Sequence, residues 1–145
     1  MILIAWLLFY PVVVNAEMDM PVRVSSTADD TVGKRLVYAV QEGIEKSSSL
    51  HITYDSELSI GFSIVTLEGD RDRPGSFTTY SVTWLWHNPD QLWPYYLTSS
   101  VGTCGSNRVE SCAHGLVADT HSEAEKIFKL IKAYVDSQEK ESSSK

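Results

Sequence analysis

The sequence is short of basic residues. Its 145 residues include 12 Lys and Arg against 19 Asp and Glu, which gives a formal net charge of −7 at pH 7. Proteins that bind nucleic acids hold the phosphate backbone with clustered Lys and Arg side chains. This charge balance argues against nucleic acid as a partner.

The sequence also lacks a catalytic or cofactor motif. Neither Ser99 nor Ser100 lies in the G-x-S-x-G elbow of a hydrolase, and no base within hydrogen-bond reach of either serine can be identified. Asp70-x-Asp72 lacks the full spacing of a calcium loop. We therefore predict no catalytic residue, no cofactor and no metal ligand.

Charge is absent from the first sixteen residues. A helix over this stretch would be roughly 24 Å long, shorter than the roughly 30 Å hydrocarbon core of a bilayer. The stretch ends in Val14-Asn15-Ala16, and signal peptidase accepts small or medium-sized residues at the first and third of these positions. We predict a signal peptide over residues 1–16, a periplasmic or secreted chain, and no stable membrane span after cleavage. The first basic residue is Arg23, although signal peptides usually begin with Lys or Arg, so a retained leader acting as a weak anchor is the alternative.

Cysteine occurs only twice, at Cys104 and Cys112. An even number of cysteines in an exported chain indicates a disulfide. The bond would close a short ring and fix a loop to the element that follows it. The alternative is a metal site with His114 and His121, but Cys-x7-Cys lacks the tight spacing of structural zinc sites.

Residues 17–136 are predicted to form one domain, whose strands and helices are indicated by hydrophobic periodicity. Val22 and Val24 alternate with Arg23, which predicts a short strand, and the preceding Pro21 favours an edge position. A helix follows, with N-capping residues at 29–31. Its apolar face is formed by Val32, Leu36, Val40 and Ile44.

The middle of the chain changes to the period of strands. Strands are predicted around residues 50–54, 58–64, 77–87 and 95–102. A second helical stripe begins near Arg108, and Ser122 with Glu125 fits a capping box, which predicts a kink or a second helix there. The polar tail 137–145 is predicted to be disordered.

These elements predict an α+β fold in the order β-α-β-β-β-β-α. We expect a mainly antiparallel sheet of four or five strands with both helices packed on one face. The first helix followed by KSSSLHITYD, residues 46–55, resembles a segment of the amino-terminal domain of TolB and of LpoB- and CsgG-type envelope proteins. This resemblance implies a small periplasmic α/β domain that contacts other envelope proteins.

Aromatic residues are concentrated between positions 80 and 96. They are Tyr80, Trp84, Trp86, Trp93, Tyr95 and Tyr96. In the strand predicted at 77–87, Trp84 and Trp86 lie on the same face. A core position is favoured for both, because large aromatic residues are mostly buried. Trp93 and Tyr95 lie beside prolines and are expected to be exposed. We predict a binding surface formed by Trp93, Tyr95, Tyr96 and Trp86, because exposed aromatic rings are typical of recognition surfaces.

The favoured hypothesis is an exported, non-catalytic domain that binds a protein or a cell-envelope ligand through this aromatic segment. One alternative is a small exported inhibitor or immunity-type protein, which would also be acidic, disulfide-closed and free of motifs. Another is an exported metal-dependent hydrolase that uses His114, Asp119 and His121. The oligomeric state is not determined by the sequence.

Overall fold

The computed structural model describes residues 17–143, so the predicted signal peptide lies outside the described residues. Five strands and two helices occur in the predicted order, which confirms the α+β class. The elements are β1 (Met20–Ala28), α1 (Thr31–Glu45), β2 (Leu50–Ile52), β3 (Ser59–Glu68), β4 (Phe77–His87), β5 (Tyr95–Gly105) and α2 (Val109–Ser143).

The strands form one sheet in the order β2-β1-β3-β4-β5. β1 runs parallel to β2 and β3, whereas the two longest pairs, β3–β4 and β4–β5, are antiparallel. The sheet is thus mostly antiparallel, as predicted. The expected edge position of β1 is wrong, because β1 lies between β2 and β3. Pro21 is only the second residue of β1, and a strand tolerates proline near its start.

α1 begins where the sequence predicts it. Asp30 precedes the helix in an extended conformation, and its carboxylate accepts a hydrogen bond from the Gly33 N–H at 2.7 Å. This N-cap satisfies one of the free N–H groups of the first turn. The predicted stripe is buried against the sheet: Val32, Leu36, Val40 and Ile44.

Together with buried residues of α2, one face of the sheet supplies the rest of the core. Its fully buried residues alternate along the strands, as period two requires. They include Val22, Ile60, Phe62, Ile64, Val82 and Trp84. Phe62 and Trp84 are cross-strand partners whose rings meet edge to face, with centroids 5.7 Å apart.

α2 packs along α1 and contacts β5. It runs as one helix through Ser122, so the second helix predicted there does not occur. Thr120 is buried, its hydroxyl donates to the Leu116 carbonyl at 2.8 Å, and it accepts a hydrogen bond from Trp84 Nε1 at 2.9 Å. Its hydroxyl therefore joins the helix to the sheet.

The final part of α2 extends beyond the packed core. Tyr134 and Val135 continue the apolar stripe of the helix but are exposed. The tail 137–145 was expected to be disordered, whereas helix continues through Ser143. Glu, Lys and Gln, which are frequent in this segment, are good helix formers even without tertiary contacts.

A polar network and a disulfide secure one end of the domain, which we call the capped end. Asp30 is 9% exposed and accepts hydrogen bonds from Thr66 Oγ1 at 2.6 Å and Thr78 Oγ1 at 3.1 Å, in addition to the Gly33 amide. Thr78 pairs across the strands with Cys104, which forms the predicted disulfide with Cys112. The disulfide joins the end of β5 to the first turns of α2, so the sheet and both helices are tied together at the capped end.

Candidate functional site

The predicted binding residues lie on one structural unit, residues 85–96, which we call the aromatic hairpin. The strand register pairs Trp86 with Tyr95 and Leu85 with Tyr96. Because successive residues of a strand point to opposite faces, Trp86 and Tyr95 share one face of the sheet and Tyr96 lies on the other. The register shifts between Trp84 and Leu85, which marks a bulge. The hairpin therefore presents aromatic side chains on both faces.

The turn of the hairpin is held by Asn88. Its side-chain Oδ1 accepts a hydrogen bond from the Asp90 N–H at 3.0 Å, and its carbonyl accepts one from the Gln91 N–H at 2.9 Å. Asparagine followed by proline is typical of such turns, because the Asn side chain bonds to backbone two residues later. Local hydrogen bonds therefore define the turn that leads to Trp93.

Three of the four predicted binding residues are exposed. The exposed fraction is 76% for Trp93, 64% for Tyr96 and 54% for Tyr95. The Tyr96 hydroxyl lies 3.0 Å from Ser99 Oγ, which restricts the orientation of this ring. The expected exposure of Trp93 and Tyr95 is confirmed, and their role in binding stays a prediction.

The two tryptophans of β4 differ in burial. Trp84 is 1% exposed, as its predicted core position requires. Trp86 is only partly buried and packs against the core. Trp86 therefore connects the aromatic hairpin to the core, whereas Trp93 is available to a partner.

A polar cluster lies at the base of the aromatic hairpin, where β4 meets β3. Burial and the positive charge of Arg23 hold the pKa of His87 below its ordinary value. His87 occupies the space above Gly61, where an added Cβ would lie 2.6 Å from the imidazole Nε2. Arg23 donates from Nη2 to the Asp55 carbonyl, while its Nε and the Ser59 hydroxyl are buried without a hydrogen-bond partner among the described residues. This arrangement favours a neutral His87 beside a single fixed cation.

The structure does not assemble the residues of the hydrolase alternative. His121 Nδ1 lies 2.9 Å from Ser49 Oγ, and its Nε2 lies 3.9 Å from Glu125. His114 and Asp119 are exposed, and no group of three or more His, Cys, Asp and Glu residues within 17–143 could hold a metal ion. The contact between Ser49 and His121 joins positions 72 apart, so no local sequence pattern could have predicted it.

No helix between residues 17 and 143 combines the length and the hydropathy needed to cross a bilayer.

Comparison with known proteins gives structural likenesses only. No protein-family model and no curated protein matches the sequence. Among solved structures, the PelC dodecamer from Paraburkholderia phytofirmans is similar at 14% identity and a TM-score of 0.46, over 75% of this chain and 90% of that chain. A DUF330 protein from Xanthomonas campestris has 14% identity and a TM-score of 0.43, over 84% and 90%. A minor lipoprotein from Acinetobacter baumannii has 13% identity and a TM-score of 0.26, over 79% and 93%.

The resemblance to TolB-, LpoB- and CsgG-type domains can be compared with these structural neighbours. A DUF330 protein and a lipoprotein are among them, and neither is TolB, LpoB or CsgG. Their identities and TM-scores are too low to carry an argument about function.

Proposed function

We propose that this protein is an exported domain that binds a protein or a cell-envelope ligand through the aromatic hairpin. The observation that carries the proposal is the exposure of Trp93, Tyr95 and Tyr96 on one short unit whose turn has its own hydrogen bonds. Burial of such side chains by a partner yields a large favourable free energy, because each ring removes much apolar area from water at little entropic cost.

Export is supported by two independent features. The uncharged leader ends in Val14-Asn15-Ala16, which suits signal peptidase. The Cys104–Cys112 disulfide is typical of an oxidising compartment. Mass spectrometry of the protein isolated from its host tests both features, with an expected amino terminus at Glu17 and no free thiol. Detection of Met1 together with two free thiols would contradict export.

Binding is tested by capture of partners from an envelope extract, with the protein immobilised. The double variant Trp93→Ala/Tyr95→Ala should lose the specific partner, because both side chains are exposed and their removal deletes contact area without changing the core. Tyr38→Ala is the matched control, since Tyr38 is equally exposed but lies on α1. The variant and the control should both keep the thermal unfolding midpoint of the wild type.

The outcome separates the remaining hypotheses. A partner retained equally by the double variant would contradict the role of the aromatic hairpin. Capture of one exported enzyme, with inhibition of that enzyme, would favour the inhibitor or immunity-type alternative and would identify its target.

A further inference from the structure

The two edges of the sheet differ in length and in protection. β2 forms one edge with only three residues, whereas β5 forms the other with eleven. An edge strand presents unpaired N–H and C=O groups to solvent, and natural proteins protect such edges with charged residues, proline, bulges or short strands. β2 is protected by its short length.

β5 carries almost none of these protections. Its sequence, YYLTSSVGTCG, contains no charged residue and no proline, and its only irregularity is the register shift near Leu97. From Thr98 to Cys104 it pairs regularly with β4, and no other strand of the described residues lies on its outer side. β5 therefore offers a regular template of seven residues for a further strand.

The surroundings of β5 leave this edge accessible. Val101 is 74% exposed, and its neighbours on the same face, Ser99 and Thr103, are also exposed. On the helix side, a cleft of about 260 Å³ lies between residues 98–100 of β5 and residues of α2 from Asp119 to Lys126. A second strand can thus approach β5 without displacing α2.

We propose that β5 pairs antiparallel with β5 of a second copy of this chain and joins two sheets into one sheet of ten strands. The middle residue of the regular segment is Val101, so a twofold axis there places Val101 opposite Val101 of the second copy. Ser99 then faces Thr103, and Ser100 faces Gly102. Pairing through one identical patch on both copies is the usual geometry of a closed dimer.

A second copy fits this edge because the strand is compatible with itself. In a twofold pair each side chain meets a residue of the same strand, so any charged strand risks like charges directly opposite each other, which destabilise the pair. β5 has no charge to create such a conflict. The net charge of −7 opposes the approach of two copies, whereas β5 itself brings no charge to the contact.

The dimer is tested by sedimentation velocity over a range of protein concentrations. The wild type should shift from monomer to dimer as concentration rises. Ser99→Lys/Thr103→Lys places lysines opposite lysines at two sites and should weaken dimerisation about fivefold or more. Ser99→Lys/Thr103→Glu places Lys opposite Glu at the same sites and should keep the dimer.

Ser25→Lys is the control for added charge, because Ser25 is exposed on β1, which two strands separate from β5. It should dimerise like the wild type. A wild type that stays monomeric up to about 1 mM would overturn the proposal. Equal dimerisation of the two double variants would overturn it as well, because the interface would then lie elsewhere.

The register is tested by crosslinking. Val101→Cys should form an intermolecular disulfide readily under mild oxidation, because directly opposite residues of an antiparallel pair have Cβ atoms close together. Ser25→Cys should crosslink only at the background rate. Equal rates for the two variants would contradict a twofold axis at Val101, and capture of an extended foreign peptide by a monomeric wild type would assign β5 to a different occupant.

Discussion

The capped end and the aromatic hairpin lie at opposite ends of the same strands, and they differ in how their side chains are used. At the capped end, Asp30 and Cys104 are buried, and the Asp30 carboxylate accepts hydrogen bonds from three internal donors. In the aromatic hairpin, Trp93 and Tyr96 are exposed, and the hydrogen bonds are mostly local. Stability is therefore expected to depend on the capped end, whereas the aromatic hairpin is free to serve recognition.

The largest loss of stability should come from removal of the Asp30 carboxylate. Asp30→Ala leaves the Thr66 hydroxyl and the Gly33 amide without this acceptor in a buried site, while the Thr78 hydroxyl keeps the Leu67 carbonyl at 3.0 Å. The free energy of unfolding should fall by about 3 kcal/mol, measured by denaturant unfolding.

Two variants complete this test. Asp29→Ala changes the exposed neighbouring aspartate, and Trp93→Ala changes the aromatic hairpin. Each should stay within about 0.5 kcal/mol of the wild type. If Trp93→Ala lost as much unfolding free energy as Asp30→Ala, the proposal that stability depends mainly on the capped end would be wrong.

Loss of the disulfide should have the next largest effect. Cys104 and Cys112 are eight positions apart, and the entropy of closing such a ring corresponds to up to about 2.5 kcal/mol. Cys104→Ala/Cys112→Ala should unfold at a lower denaturant concentration than the oxidised wild type, and wild type reduced with dithiothreitol should behave like the variant. Identical unfolding of the oxidised and reduced wild type would show that the disulfide adds no stability to the capped end.

The smallest of the three losses of stability is expected at low pH. Burial by itself raises the pKa of Asp30, but hydrogen bonds from Thr66, the Gly33 amide and Thr78 outweigh it and hold the pKa below the ordinary value of 3.8. Since the folded state lowers this pKa, its contribution to stability is present above pH 3.8 and is lost as the pH falls through the folded-state pKa.

Asp30→Asn tests this pH dependence, because an amide does not titrate. The difference in unfolding free energy between the wild type and Asp30→Asn should shrink from pH 7 to pH 3. A constant difference across this range would show that the carboxylate is not held ionised by its hydrogen bonds.

Local patterns in the sequence predict much of this fold. The spacing of Val32, Leu36, Val40 and Ile44 gives α1 its buried face, and the Asx chemistry of Asp30 gives its start. The position of β1 could not be predicted in the same way, because a central place in a sheet depends on pairing with distant residues. The second helix expected near Ser122 does not occur. The contact from Trp84 to Thr120 crosses between distant segments, so no local pattern predicts it.

At the candidate site, only the exposure of individual side chains could be predicted from local sequence. Neighbouring prolines and the end of strand alternation indicated that Trp93 and Tyr95 are exposed, and the structure confirms this. The partial burial of Trp86 depends on its packing, which sequence alone does not contain. The bond between Ser49 and His121 likewise depends on how α2 lies against the start of β2.

The central place of β1 has a consequence for how the chain reaches its final form. β1 is the first strand along the chain, yet its neighbours β2 and β3 follow only after α1. A polypeptide that emerges amino terminus first therefore carries β1 without both partners until residue 66 has followed it. Parallel pairing of this kind is slow because it joins distant parts of the chain, so the apolar side chains of β1 stay unpaired during that interval.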